Sequence, residues 1–191
     1  MSNERIETKR ALFSAPVREI PVVELAISDL SVNPVEFWMS RRLLLTAGVL
    51  EDFNMMPVGF DSIGMLWGKP VVQVAVRPYR HTRNYLDKSD SFTLSSFSEK
   101  YADDIEILGS LSGKEIDKLS KTRLTVMASE SVQSPSYNEA DLVIECRKVL
   151  HQDISPEGFV DAEMLKENYP SPEEFHRVYY GEISAMRQSR D

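Results

Sequence analysis

Apolar residues recur along this chain in short runs separated by turn-forming residues, a pattern that predicts a protein built mainly from strands. Two runs are almost continuously apolar, as expected for strands covered on both faces. In the third run, successive side chains alternate between two faces. The fourth has apolar residues on one face and polar residues on the other, which predicts a half-exposed antiparallel strand. The fifth is rich in aromatic and β-branched residues. In that order, the predicted strands are 43–46, 71–76, 91–97, 142–150 and 175–183.

Helices are fewer, and each is predicted from its own boundary signals. The first, 82–88, has Thr82 as its predicted cap. The second, 101–109, has apolar residues at i, i+4 and i+7 and is predicted to end at Gly109. The third, 161–168, has Asp161 as its predicted cap. The strands outnumber the helices and do not alternate regularly with them. We therefore expect a mainly β fold, a closed antiparallel sheet with a few peripheral helices.

The size and composition are those of one domain, 1–191. The chain has 191 residues, of which 42% are hydrophobic and 27% charged, enough for a core without metal or disulfide support. The single cysteine, Cys146, excludes an intramolecular disulfide and lies in an apolar run that predicts a buried, inert thiol. We expect the ends, about 1–10 and 185–191, to be loosely held.

The charge and hydropathy of the chain limit the kinds of binding partner and the compartment that the sequence predicts. The chain has 22 basic and 30 acidic residues, a formal charge of −8 that disfavours attraction to nucleic acid or anionic lipid. The N-terminus is charged and lacks an apolar leader, and no apolar run is long enough to cross a bilayer. The sequence therefore predicts a cytoplasmic protein with neither nucleic acid nor membrane as a partner.

Residues 77–82, Arg-Pro-Tyr-Arg-His-Thr, follow a predicted buried strand and open a predicted helix. The amide groups at a helix N-terminus attract anions. Arg77 and Arg80 bring planar donors suited to phosphate oxygens, and His81 and the Thr82 hydroxyl lie beside them. This turn is thus a candidate phosphate site. The alternative is that both arginines are surface charges and that Thr82 only caps the helix.

The segment Met55, Met56, Pro57, Val58 and Gly59 carries no long charged side chain. Exposed backbone N–H groups here could bond the polar edge of a flat ring, while the two methionines pack against its apolar body. The alternative is an ordinary strand and turn with core methionines.

Ser95, Ser96 and Phe97 end the strand 91–97, in which Phe92 and Leu94 share one face and Ser95 and Phe97 the other. Short hydroxyls at a strand end are plausible donors to a phosphate, but serines are common at strand ends. The order of these three segments carries more information than any one of them. Together they suggest a site for flavin mononucleotide (FMN).

The same segments resemble the flavin reductase-like family with an FMN-binding split β-barrel, and within it the flavoredoxin type. That family reads approximately N-x-M-T-x-S-W-G-x-x-G-x-L-W-x-K-P, then V-x-V-R-P-x-R-Y-T, then F-T-L-S-x-F. The resemblance spans about 53–183. The matching stretches here are Asn54 with Met56, 63–70 (IGMLWGKP), 74–82 (VAVRPYRHT), 92–97 (FTLSSF), 112–114 (SGK), 142–146 (LVIEC) and 176–183 (HRVYYGEI).

The resemblance implies a closed antiparallel Greek-key split β-barrel with FMN as cofactor. It implies an oxidoreductase that passes electrons from NAD(P)H to flavin or a small acceptor. Alternatively, the protein is a flavoredoxin-like carrier that takes electrons from a redox protein and has no nicotinamide site of its own. The family also implies a homodimer. Because the flavin carries the reaction, no side chain is predicted as a catalytic acid, base or nucleophile, and the histidines show no metal-ligand spacing.

The sequence departs from the family at the ring end. Pro57, Gly59 and Phe60 stand where the family has Thr, Ser and Trp, and His81 replaces a Tyr. Hydroxyl donors are missing and Pro57 removes a backbone donor, so a third hypothesis is a split-barrel binding module that has lost flavin. The phosphate-side motif is intact, and we expect FMN to bind. The predicted cofactor site comprises Met55, Met56, Pro57, Val58, Gly59, Arg77, Arg80, His81, Thr82, Ser95, Ser96 and Phe97.

Overall fold

The computed structural model describes residues 22–31, 33, 35, 38, 39, 42–59, 61–114 and 116–189, apart from the side chains of Val22, Asp61 and Pro172. The predicted loose N-terminal end, 1–10, lies outside these residues. The strands are β1 (Val22–Glu24), β2 (Arg42–Val49), β3 (Asp52–Val58), β4 (Asp61–Leu66), β5 (Lys69–Val76), β6 (Ser91–Phe97), β7 (Val126–Met127), β8 (Ser136–Tyr137), β9 (Leu142–Asp153) and β10 (Arg177–Ser189).

Eight of the described strands form one antiparallel sheet. The order is β3-β2-β6-β9-β10-β5-β4, with β1 added along β10, while β7 and β8 pair separately as a short ribbon. The β2–β3 turn needs a glycine, because Gly48 has φ +117° and a Cβ there would lie 2.3 Å from the Asp52 carbonyl oxygen. The mainly β, antiparallel architecture predicted from the sequence is confirmed.

Three α-helices have both ends among the described residues and lie at the predicted places; Val35, Trp38 and Met39 are also helical. The three are α1 (Thr82–Lys88), α2 (Ala102–Ser110) and α3 (Ala162–Asn168). Short 3₁₀ turns span Ile27–Asp29, Glu99–Tyr101, Leu119–Lys121, Pro156–Gly158 and Pro172–Glu174. No described helix is long and apolar enough to cross a membrane.

Of the three predicted boundary signals, Asp161, Gly109 and Thr82, only Asp161 is confirmed. Asp161 caps α3 as predicted, accepting hydrogen bonds from the amides of Glu163 and Met164. The helix α2 continues one residue past Gly109. The predicted capping role of Thr82 is wrong: it is the first residue of α1, and His81 holds the N-cap position without a side-chain bond.

The sheet is buried on both faces. Two hydrophobic cores lie on its two faces: the inner core, which includes Leu45, Val72, Val74, Ile144 and Tyr179, and the outer core, which includes Leu44, Phe53, Leu124, Tyr137 and Val143. The alternation in β6 separates the faces as predicted, since Phe92 and Leu94 join the inner core and Phe97 joins the outer core. Helix α1 contributes Leu86 to the inner core, and α2 contributes Ile105 and Leu108 to the outer core. Strand β6, whose side chains contribute to both cores, is buried along its whole length.

Two predictions about the last strands are corrected. The first half of β9 is buried rather than half-exposed, because the residues joining β7 to β8 cover it, and Glu145 is only 1% exposed. The predicted loose end from 185 onward is wrong as far as Ser189. This part of β10 is held on both sides, by β9 at Arg187↔Val143 and by β1 at Ser189↔Val22.

Candidate functional site

The methionine-bearing strand and the two-arginine turn meet at a buried hydrogen bond. The Nδ2 of Asn54 in β3 donates to the Oγ1 of Thr82 at 2.8 Å. Both side chains are almost completely buried. Since Asn54 is two residues from Met56, this bond joins the segment predicted to hold the ring to the turn predicted to hold the phosphate.

A buried lysine lies against the same strand. Lys118 is 5% exposed, and its Nζ donates to the carbonyl oxygens of Met55 and Leu108, tying β3 to α2. Burial, together with the positive charge of Arg80, lowers the pKa of Lys118 from 10.5 to about 8. Among the described residues, Lys118 forms no ion pair with a carboxylate. A desolvated cation of this kind favours an anion as its partner.

The loop that carries Lys118 packs closely on Asn54. A Cβ at Gly113 would lie 2.1 Å from the Oδ1 of Asn54, so only glycine fits there. Four parts of the chain therefore converge: β3, the start of α1, the turn with Arg80 and the 112–118 loop. We call the group Asn54, Arg80, Thr82, Gly113 and Lys118 the anion cluster.

Arg77 and Arg80 differ in their surroundings. The Nη1 of Arg77 is 2.7 Å from Glu174, its Nη2 donates to the carbonyl of Asn168 at 3.2 Å, and its guanidinium lies 5.6 Å from the Tyr169 ring centre. The Tyr169 hydroxyl is in turn 2.8 Å from the Nδ1 of His176, whose pKa burial and Arg77 lower to about 4. Arg77 thus already has a carboxylate partner.

Arg80 is more accessible than Arg77, whereas His81 is half-buried. Arg80 is exposed, with its guanidinium 5.9 Å from the Tyr79 ring centre, and it acts electrostatically on Lys118. His81 meets the Tyr85 ring edge-on at 5.5 Å and lines a groove beside α1. Of the two arginines, Arg80 is therefore the better placed to bind an anion next to Lys118.

The predicted ring-binding segment forms the end of β3. Met56 belongs to the inner core and Met55 to the outer core, so a ring on one face of β3 would meet only one of these two side chains. Pro57 packs toward Gly109 of α2, Val58 is half-buried against the inner core, and Gly59 is exposed. Their contact with a cofactor stays a prediction, and Phe60 lies outside the described residues.

Ser95, Ser96 and Phe97 are buried within the sheet. The Phe97 ring contacts those of Tyr101 and Tyr137 in the outer core. The Oγ of Ser95 is buried and has no hydrogen-bond partner among the described residues. The role of Ser95, Ser96 and Phe97 in binding a cofactor also stays a prediction.

Sequence reasoning left Asn54, Gly113 and Lys118 out of the predicted site. Asn54 and Gly113 fall in stretches that match the family pattern, so the family match could have identified both as site residues. Nothing local marks Lys118, because Lys114 and Lys121 stand in the same polar stretch and are exposed. Only packing distinguishes the three lysines.

Comparison with known proteins identifies the family of the chain. Residues 44–191 match the flavin reductase like domain. An uncharacterized protein of Archaeoglobus fulgidus is 26% identical over 118 residues, which cover 62% of this chain; the match spans 66% of that relative, just under two thirds of its length.

Two solved structures share the fold. An FMN-binding domain of a flavin reductases-like enzyme from Shewanella baltica has a TM-score of 0.64 at 11% identity, covering 91% of this chain and 80% of that one. Flavoredoxin of Desulfovibrio vulgaris has a TM-score of 0.60 at 21% identity, covering 78% and 69%. These likenesses confirm the split-barrel fold. Since its family pattern covers most of the sequence, the chain belongs to the flavin reductase-like domain family.

Proposed function

We propose that this protein binds FMN and acts as an oxidoreductase of the flavin reductase type, passing electrons from NAD(P)H to flavin or a small acceptor. The observation that carries the proposal is the anion cluster, in which a buried lysine and an exposed arginine lie beside the Asn54–Thr82 pair. The family match and the FMN-binding relatives support a flavin as the ligand.

The residues of the cluster fit the phosphate end of FMN. A phosphate monoester is close to a dianion at neutral pH and carries three acceptor oxygens. Lys118 and Arg80 supply positive charge, and the amide of Asn54 and the hydroxyl of Thr82 supply neutral donors. A dianion would also compensate the buried ammonium group of Lys118, which the two carbonyl oxygens only partly satisfy.

The ring would extend from the cluster toward the end of β3, where Pro57, Val58 and Gly59 lie. When bound, FMN supplies the hydride- and electron-transfer chemistry, and the protein holds and orients it. A site for one terminal phosphate favours FMN over a dinucleotide flavin.

The visible spectrum of the purified protein tests cofactor binding. We expect a yellow protein that releases FMN on denaturation, identified by mass. Colourless protein that takes up no FMN at micromolar concentration would instead support the hypothesis of a binding module that has lost flavin, for which Pro57 is the structural argument.

A second candidate is an FMN electron carrier without a nicotinamide site, supported by the fold likeness to flavoredoxin. Steady-state oxidation of NADH and NADPH by the FMN-loaded protein separates the two. Oxidation of either donor, with flavin or a small acceptor as oxidant, supports the flavin reductase. Loaded protein that oxidises neither donor supports the carrier.

We expect Arg80→Ala to raise the dissociation constant for FMN about tenfold. The side chain is exposed, so the lost charge-assisted contact is worth about 1.4 kcal/mol, the low end for such bonds. Fluorescence titration of FMN measures the change. Arg147→Ala is the matched control, because it removes an equal charge from an exposed arginine that pairs with Glu182. Equal affinities in wild type and Arg80→Ala would remove Arg80 from the site.

The affinity for FMN should fall as the pH rises. Lys118 is charged below its pKa of about 8 and loses its proton above it in the free protein, while the phosphate remains a dianion. We expect the dissociation constant to rise about tenfold between pH 7 and pH 9. Lys118→Met should bind FMN with nearly the same affinity at both values. A wild-type affinity independent of pH would contradict the role given to Lys118.

We also propose that the protein is a homodimer. The β4–β5 turn supports this, because Met65 and Trp67 are 69% and 71% exposed there. The turn is tight, since Trp67 and Gly68 both have positive φ, as a two-residue hairpin connection requires. Aromatic and methionine side chains of this kind are enriched at protein interfaces.

A further inference from the structure

A segment between β9 and β10, residues 154–175, leaves the sheet and returns to it. The two strands are antiparallel neighbours whose register begins at Arg177↔Asp153, so both ends of the segment lie side by side. The segment contains α3 and two of the 3₁₀ turns, and none of its described side chains is buried. We call it the β9–β10 excursion. Local opening of a segment that buries so little costs much less than unfolding of the sheet.

The β9–β10 excursion is held together by its own aromatic side chains. The ring of Tyr169 stacks on that of Phe175 with their centres 4.6 Å apart, and the Phe159 ring meets it edge-on at 5.7 Å. Helix α3 contributes no buried residue, and Met164 on it is 50% exposed. Because a helix of seven residues is not stable without tertiary contacts, α3 depends on the attachment of the excursion to the rest of the protein.

Arg77 attaches the excursion to the turn 77–82. Its Nη1 donates to the Oε2 of Glu174 at 2.7 Å, and its Nη2 donates to the carbonyl oxygen of Asn168 at 3.2 Å. Its guanidinium also lies 5.6 Å from the ring centre of Tyr169. All three partners belong to the excursion. The guanidinium is partly buried, which limits the screening of its charge by water, so one side chain holds the excursion at three points.

A second attachment lies where the excursion rejoins the sheet. The Tyr169 hydroxyl is 2.8 Å from the Nδ1 of His176, and the Tyr169 ring meets the imidazole edge-on at 5.5 Å. The amide of Ile154 donates to the carbonyl oxygen of His176 at 2.9 Å. His176 is buried, and burial together with the charge of Arg77 lowers its pKa to about 4. Movement of the excursion would carry Tyr169 away and expose this imidazole to water.

We propose that the β9–β10 excursion is a lid that swings away from the turn 77–82 while the sheet stays folded, and that Arg77 is the latch that holds it closed through Glu174. The hinges lie at the ends of the paired strands, next to Asp153 and Arg177. Arg77 shares its turn with Arg80, whose amide donates to the Arg77 carbonyl oxygen at 3.2 Å, so the lid stands beside the turn that carries the exposed arginine. Lids of this kind admit ligands and then exclude water. The inference goes beyond the proposed flavin chemistry and does not depend on it.

Amide hydrogen exchange of the cofactor-free, full-length protein, followed by NMR, tests the proposal. The amides of Leu165 and Tyr169 donate within α3 and exchange when the detached helix melts. In wild type we expect them to exchange at least about tenfold faster than the amides of β6. Glu174→Gln should accelerate them about fivefold further, the effect of one ion pair, and leave β6 unchanged. Arg77→Gln removes all three contacts and should accelerate them more.

Glu173→Gln is the matched control and should exchange like wild type, because Glu173 is exposed in the same 3₁₀ turn and forms no ion pair among the described residues. The pKa of His176, measured by NMR titration, gives a second readout. In Glu174→Gln it should rise from about 4 toward 6.5, because the open lid lets water reach the imidazole. Loss of the carboxylate alone would lower this pKa instead.

The proposal is overturned if the α3 amides exchange no faster than those of β6, if Glu174→Gln and Glu173→Gln exchange alike, or if the pKa of His176 does not rise in Glu174→Gln. Equal acceleration in α3 and β6 would also overturn it, because the whole domain would then be opening. All of these measurements use protein without FMN, so their outcome is independent of the proposed function.

Discussion

Replacing Lys118 with methionine is expected to weaken FMN binding about 10- to 150-fold. The substitution removes a buried ammonium group next to Arg80, and a hydrogen bond to a charged group contributes about 1.5–3 kcal/mol. Methionine has a similar length and suits the apolar part of the site. Fluorescence titration of FMN into the purified variant measures the loss.

The control variant is Lys121→Met, which removes an exposed charge three residues away and should bind FMN like wild type. The thermal midpoint of cofactor-free Lys118→Met should change little. Two carbonyl oxygens lose their donor, but the desolvation cost of the ammonium group disappears as well. If the folded variant binds FMN with wild-type affinity, the anion cluster is not the phosphate site.

Replacing Glu145 with alanine should lower the free energy of unfolding by about 3–5 kcal/mol, the range for breaking a buried charge network. Its carboxylate accepts hydrogen bonds from the Glu130 amide at 3.0 Å and from the Ser131 amide and hydroxyl at 2.7 and 2.8 Å. It also compensates the charge of Arg187, whose pKa burial lowers and Glu145 raises. Alanine would remove the acceptor of these three hydrogen bonds, and the buried Arg187, although it keeps its bonds to Ser136 and Tyr137, would lose this compensating charge.

Urea denaturation followed by circular dichroism measures this effect as a shift of the midpoint. Glu106→Ala is the control, because Glu106 is exposed on α2 and its removal should change stability by no more than about 0.5 kcal/mol. Glu145→Gln keeps the shape and one acceptor oxygen and should lose less than alanine. A midpoint for Glu145→Ala equal to that of wild type would show that the network contributes nothing to stability.

The sequence predicted five of the eight strands of the sheet because their signals are local; β1, β3 and β4 were not among the predicted strands. The limits of β6 were predicted residue for residue, and Asp161 was correctly predicted to cap α3. The predicted strand 175–183 underestimated β10, which continues to Ser189. That extension depends on pairing with β1, more than 160 residues away along the chain, and no local pattern contains such a contact.

The site was predicted in part for the same reason. The turn with Arg80 and Thr82 was found from its composition and from the family motif. Its hydrogen bond to Asn54 could not be read from the sequence, because it spans 28 residues. Likewise, Arg77 and Arg80 look equivalent in the sequence. In the structure, however, Arg77 forms an ion pair with Glu174, which is 97 residues away along the chain.

The order of the elements, the antiparallel sheet and the family motifs were determined by the sequence alone, since each follows from the spacing of apolar residues or from a short contiguous pattern. The tertiary structure decided which charged groups are buried. It buries Lys118 and leaves Lys114 and Lys121 exposed, and it places Glu145 beneath the residues that join β7 to β8. Burial depends on what packs above a residue, so the electrostatics of the site exist only once distant segments have come together.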